Sequence, residues 1–336
     1  MSRRRRQLCV AAASTGVMIY SLLVSISNNS SSSSLIENVT SLTRGILIID
    51  NRHPDEIILP TLQSVLTNTD SSWQVQLICS PTVGNILTDK NNTPSLFQQL
   101  VVQKYGRTLH ITPWDSLDGT KAFVRQKNKK AAVRKRSEKI SNIMMDPKLW
   151  QSLRFEKVLV IQTDSVMCHG GLDSYLRYDY IGAPWTDKWK DTIVGNGGFS
   201  LRTRNVMLHC AVNYGLGGNI RKWNEDVFFS QCVDENATTF LGTFEDAKSF
   251  VMENVYNAKA LAYHKPLMPG GRTDDLVREM CEYCPASEHV PELEIDCTQI
   301  SGHANLSSEH VPELEINCTQ IFGHANLSSG IMGHFE

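Results

Sequence analysis

From residue 45 onward, short apolar runs alternate with stretches of helical spacing. Residues 45–50 read Gly-Ile-Leu-Ile-Ile-Asp, an unbroken apolar run closed by an acid. That is the pattern of a strand buried on both faces of a parallel sheet. Residues 55–67 place Ile58, Leu62 and Leu66 at helical spacing, with Pro60 near the first turn, where its missing N–H costs little. Residues 73–79 predict a second strand, 96–105 a helix and 108–112 a short strand. The run Val158-Leu-Val-Ile-Gln-Thr-Asp-Ser165 predicts another buried strand that delivers Asp164 to its end. Strands alternating with helices predict an α/β fold around a doubly wound, mostly parallel sheet. Such sheets bind ligands at the carboxyl ends of their strands, where Asp164 falls.

The ends of the chain break this pattern. Residues 1–7 hold four arginines, and residues 8–26 are 19 residues without a charge. At 1.5 Å per residue that run spans roughly 28 Å, about a bilayer core. The arginines on its amino side predict a transmembrane signal-anchor with a short cytoplasmic tail and a lumenal remainder. A cleaved signal peptide is the competing reading, and either one sends the domain into the secretory pathway. Residues 27–43 are polar and Ser-rich and read as a stem. The folded domain is expected over 44–285. Beyond it, 288–308 recur as 309–329 with changes only at Asp296/Asn317 and Ser301/Phe322. Two near-identical copies are too few for a solenoid, so 286–336 reads as a loosely ordered, dispensable tail. Its histidines, His289, His303, His310 and His324, offer at most weak metal binding.

Nine cysteines and Asn-x-Ser/Thr sequons at Asn28, Asn29, Asn38, Asn91, Asn236, Asn305, Asn317 and Asn326 fit an oxidising, lumenal compartment. Cys281-x-x-Cys284 is the only close pair. It reads as a local disulfide or two unrelated thiols rather than half a metal site. The net charge of −2 excludes nothing, but residues 121–139 carry nine basic residues against one acid. That segment is either a solvated helix face or a positive wall beside a polyanion. No aromatic interleaving supports nucleic-acid binding.

Candidate chemistry lies in four places. Asp164 is either a ligand for a hard cation or the cap of a turn. Gly195-Asn-Gly-Gly198 lacks the spacing of a phosphate loop. Gly197 and Gly198 either let a sugar approach the backbone or make a tight turn, and Asn196 can hydrogen-bond sugar hydroxyls. Arg202 pairs with a phosphate or with a buried acid. Asn224-Glu-Asp226 reads as a helix start with Asn224 as N-cap. There, Glu225 and Asp226 complement the helix dipole, or one of them acts as general base, Asp226 being preferred. Trp185, Trp189 and Trp223 are stacking candidates or core.

Five ordered blocks carry a resemblance: Gln162-Thr-Asp-Ser165; Tyr178-Asp-Tyr-Ile-Gly-Ala-Pro-Trp185; Val194-Gly-Asn-Gly-Gly-Phe-Ser-Leu-Arg202; Glu225-Asp-Val227; and Ala247/Phe250/Glu253 followed by His264-Lys265. This order resembles a family of glycosyltransferase-like domains without an assigned function. It also looks like nucleotide-sugar transferases of the single-domain, Rossmann-like GT-A type. The resemblance implies an anchored Golgi or endoplasmic-reticulum glycosyltransferase that moves a sugar from a nucleotide-sugar donor to a hydroxyl on a glycan or glycoprotein. It implies Mn²⁺ or Mg²⁺ held by Asp164 and the late His264, and substrate contacts at Gln162, Trp185, Asn196, Gly197, Gly198 and Arg202. Such transferases usually carry Asp-x-Asp here, and Gln162 replaces the first acid. A catalytically silent lumenal carbohydrate- or nucleotide-binding protein is therefore the alternative. A sulfotransferase is disfavoured, because the first strand lacks a phosphate-binding loop.

Overall fold

A computed structural model describes residues 43–89, 91–117, 129–186, 194–214, 224–267 and 271–297. The central sheet has six strands: β1 (Arg44–Ile49), β2 (Trp73–Cys79), β3 (Leu109–Pro113), β4 (Lys157–Ile161), β6 (Tyr180–Pro184) and β7 (Val194–Thr203). Their order is β3-β2-β1-β4-β7-β6. The pairs among β3, β2, β1 and β4 are parallel, and β7 runs antiparallel to both its neighbours. The mostly parallel α/β sheet expected from the sequence is therefore present.

The unbroken apolar runs have a direct cause. In β1, Ile46 and Ile48 enter one core cluster while Leu47 and Ile49 enter another, so both faces of the strand are covered. In β4, Leu159 and Ile161 join the first cluster and Val158 and Val160 the second. The first face is covered by α1 (Leu59–Asn68), through Leu62, Val65 and Leu66, and by α8 (Phe244–Phe250). The second is covered by α5 (Pro147–Ser152), α6 (Arg204–Tyr214) and α7 (Glu225–Glu235), with Trp150, Met207 and Phe229 buried. Cys210–Cys232 ties α6 to α7.

Several local expectations shift. Pro60 sits in the first turn of α1, which begins at Leu59 after a short 3₁₀ turn, Pro54–Glu56. The helix expected over 96–105 is one α-turn, α3 (Leu96–Gln98), that loosens into a π-helix, Gln99–Lys104. Helix α2 (Pro81–Thr88) went unpredicted, although Ser80 accepts from Val83 N and Pro81 stands in the first turn. The glycine cluster is no turn. It lies inside β7. The basic segment contributes α4 (Lys129–Met144), and residues 121–128 lie outside those described.

A second, three-stranded sheet joins β5 (Ser165–Met167), β9 (Ala262–His264) and β8 (Val251–Met252), in that order. Against it lies α9 (Asp274–Tyr283), and Met280, Val290, Leu293 and Ile295 share its buried cluster. Packing thus continues past the expected boundary at 285. Cys281 and Cys284 do not bond to each other. Cys281 joins Cys297, and Cys284 joins Cys168, 116 residues away. No described helix is long and apolar enough to cross a membrane, and residues 8–26 lie outside those described.

Candidate functional site

The turn from β4 into β5 places Asp164 beyond the carboxyl end of β4. Antiparallel pairing of Ser165 with His264 then brings the histidine alongside. His264 Nε2 stands 3.3 Å from Asp164 Oδ1, with side-chain exposures of only 4% and 14%. His264 Nδ1 faces Glu253 Oε1 at 3.7 Å, and Lys265 Nζ lies 2.7 Å from Asp164 Oδ2. Lys265 adopts a left-handed backbone (φ 41°), strained for a residue with a side chain. Burial alone would lower the His264 pKa, but the Asp164 and Glu253 carboxylates outweigh it and raise it to about 9. Burial alone would raise the Asp164 pKa, yet His264 and Lys265 hold it well below the usual carboxylate range.

Across β7 lies the second carboxylate group. Arg202 is fully buried, 3.2 Å from Glu225 Oε1, and its guanidinium stacks over Tyr180 and Phe229. Of the two partners open to Arg202, the structure supplies the buried acid. Asn224 stands at the N-cap of α7, but its side chain makes no capping bond. Asp226 is half-buried, and Val227 N donates to its Oδ1. Burial and the neighbouring Glu225 charge push its pKa up to about 7.

Gly197 and Gly198 allow the two groups to flank one strand. A Cβ on Gly198 would meet the His264 ring at 2.0 Å. One on Gly197 would stand 2.4 Å from Glu225 Oε1 and 3.2 Å from the Asp226 Cβ. The close approach read from the glycines is thus made by the protein's own side chains. Gln162 N donates to Gly198 O, and Asn196 Oδ1 accepts from Gly198 N. Trp185 is buried at 7% exposure, and Trp189 and Trp223 lie outside the described residues.

A cavity of about 120 Å³ opens at the carboxyl ends of β1 and β4. Asp50, Gln162, Thr163, Asp164, Glu225, Lys265 and Glu292 line it. Pockets for whole drug-sized ligands run to roughly 300–1,000 Å³, so this is room for one end of a ligand. Two of these residues escaped the sequence reading. Asp50 is the acid closing the first apolar run, a signal present in the sequence. Glu292 belongs to the tail, and only the fold brings it in: it pairs with Arg52 at 2.6 Å and accepts from Thr163 Oγ1. Arg52 in turn holds Asp50 at 2.9 Å.

Among the described residues no three His, Cys, Asp or Glu side chains converge on one point suited to a metal. Asp164 Oδ1 and His264 Nε2 are nevertheless buried, face each other and lack a hydrogen-bond partner. A carboxylate oxygen and, once deprotonated, an imidazole nitrogen 3.3 Å apart suit adjacent ligands of one small cation. Lys265 already occupies the other Asp164 oxygen.

A family described as "Protein of unknown function (DUF5672)" matches residues 124–269, a stretch that contains Asp164, Gly197, Gly198, Glu225, Asp226, Glu253 and His264 but not Asp50, Arg52 or Glu292. No curated protein matches the chain. Among solved structures it is similar to the apo form of the glycosyltransferase GlyE of Streptococcus pneumoniae TIGR4, with TM-score 0.41, 8% identity, 66% of this chain and 54% of that one. A second GlyE crystal structure gives TM-score 0.38 at the same identity and coverage. The chain spans about half the length of those proteins.

Proposed function

We propose that this protein is a glycosyltransferase whose donor diphosphate lies at Asp164 and whose general base is Asp226. One observation carries the reading. At the carboxyl ends of the parallel strands, Asp164, braced by His264 and Lys265, shares a cavity with Glu225, which adjoins Asp226 at the start of α7. The ordered sequence blocks supply these positions, and the resemblance they carry supports the same class.

The chemistry is a displacement. The acceptor hydroxyl oxygen attacks the anomeric carbon, the carbon–oxygen bond to the diphosphate breaks, and the hydroxyl proton passes to Asp226. A carboxylate with a pKa near 7 is well matched to that task. Glu225, locked to Arg202, is a positioning residue that also keeps Asp226 basic by its charge. Lys265 Nζ, on the cavity wall, offers a positive charge to the departing diphosphate. Asp164 and His264 would hold Mn²⁺ or Mg²⁺, which when bound offsets charge on the leaving group. Three disulfides, the sequons and the apolar run at 8–26 support a type II topology with a lumenal domain in the Golgi or endoplasmic reticulum.

Titration calorimetry with a panel of nucleotide sugars, with and without Mn²⁺, tests the reading alongside turnover on glycan acceptors. Asp164→Asn is expected to weaken donor binding and change its response to metal. Asp226→Asn is expected to keep donor affinity and lose turnover. Gln162, standing where the transferases usually carry an acid, favours the silent binding protein as the second reading. Donor binding without turnover on any acceptor would establish that instead.

A further inference from the structure

Two Asn-x-Ser/Thr sequons fall among the described residues, at Asn91 and Asn236, and the fold treats them differently. At Asn91, side-chain Nδ2 donates to Asp89 Oδ1 at 3.1 Å. Asn236 stands at the C-cap of α7 and is followed by the exposed Ala237 and Thr238. Its Oδ1 accepts twice from Thr238, from the backbone N–H at 3.1 Å and from Oγ1 at 2.8 Å. Thr239 N donates to Asn236 O at 3.0 Å and closes the turn. Both side-chain bonds fall on the amide oxygen, so Nδ2 is the end of the amide that this turn leaves unused.

The surroundings suit a bulky polar group. Phe240, four residues further on, is 67% exposed, more than any other large hydrophobic residue described. Its backbone is pinned. Phe240 N donates to Asp179 Oδ2, and Asp179 N donates to Phe240 O. Leu241 then bridges to Tyr180 on β6, the outer strand of the six-stranded sheet. Helix α7 runs roughly 16 Å from Glu225 at the cleft to this turn. A group on Asn236 therefore leaves the cleft open.

We propose that Asn236 carries an N-linked glycan and that this glycan covers the Phe240 ring. The inference rests on the lumenal topology proposed above and is independent of the transferase activity. A glycan is bulky and needs a surface asparagine, which the turn provides. The co-reactant is an oligosaccharide carried on a lipid diphosphate. Asn236 Nδ2 bonds to the anomeric carbon of its first sugar as the carbon–oxygen bond to the diphosphate breaks. The diphosphate leaves as an anion, and one Nδ2 proton passes to a base of the transferring enzyme. No oxidant or reductant is consumed.

The test uses the full-length chain made in cells with a secretory pathway. The chain is treated in heavy-oxygen water with an amidase that removes N-glycans, then digested for mass spectrometry. Asn236 should appear as heavy-labelled Asp in most chains. Thr238→Ala should abolish the label and Thr238→Ser should retain it, because either hydroxyl completes the sequon. An unlabelled Asn236 in most unmodified chains overturns the proposal, whether or not the variants fold. The Cys168–Cys284 bond, read in the same digest, then says which premise failed. With the bond present the domain reached an oxidising lumen and the site is wrong; with the bond absent the topology is wrong. Covering of the ring has its own readout. Removing the glycan should raise the binding of an apolar dye, and Phe240→Ser should remove that rise. Dye binding unchanged by glycan removal overturns the contact with Phe240.

Discussion

At the residue scale, Asp226 and its neighbour are adjacent in sequence yet expected to fail differently when changed. Asp226→Asn should lower kcat by about 10²–10⁴-fold with donor affinity nearly intact. Wild-type activity should rise with pH through about 7 as the base ionises, and the mutant should lose that limb. Stability gives an independent check. The folded pKa of Asp226 lies above the ordinary value of about 4. Its contribution is therefore fully present in acid and is lost as pH rises through about 7. Melting curves should show Asp226→Asn stabilised on the order of 1–2 kcal/mol at pH 8 and unchanged at pH 4. A destabilised mutant at pH 8 would refute the raised pKa. Glu225→Gln, by contrast, strands the buried Arg202 guanidinium. Breaking such a pair by removing one partner costs about 3–5 kcal/mol, so this variant should melt early. Its lost activity is then a folding effect, which a chaotrope melt separates from loss of a base.

At the element scale, β7 brings the two halves of the site together, and its glycines are what allow it. Successive residues of a strand face opposite sides. Gly197 therefore clears space for Glu225 and Asp226 while Gly198 clears space for His264. Gly198→Ala should cost about 1–3 kcal/mol through overpacking and should displace His264 from Asp164. Denaturant unfolding measures the cost, and the histidine's own NMR titration reports the displacement. An unchanged His264 titration in Gly198→Ala would show that the ring does not depend on that clearance. The same strand explains why the glycine cluster was hard to read. A turn and a strand that hugs its neighbours both call for glycine, and only the pairing with β4 and β6 decides between them.

At the scale of the whole molecule, Cys168–Cys284 fastens the second sheet to distant chain at the end of α9, and Cys281–Cys297 ties α9 to the segment 16 residues further on. Removing the first by Cys168→Ser/Cys284→Ser should cost about 2–5 kcal/mol, because it closes a loop of 116 residues. Limited proteolysis should then cut first after residue 271, where α9 and the docked tail lose their tie. A pattern identical to wild type would show that packing alone holds this region. The proposed topology is tested at the same scale: in intact microsomes the domain should resist protease until detergent is added.

What the sequence determined by itself is local and periodic. Apolar runs made β1 and β4 legible because a strand covered on both faces must be apolar throughout. Pro60 and the acid-rich start of α7 marked helix ends, and the strand-end position of Asp164 followed from periodicity alone. Pairing and partnership were decided only by tertiary structure. Nothing in Cys281-x-x-Cys284 says that both thiols reach across to Cys297 and Cys168, because bonding depends on which sulfurs are close in space. Arg202 chose Glu225, and Glu292 reached Arg52 from 240 residues away, through contacts that no local pattern encodes. A side chain's chemistry is written in its type, but its partners are set by where the folded chain puts them.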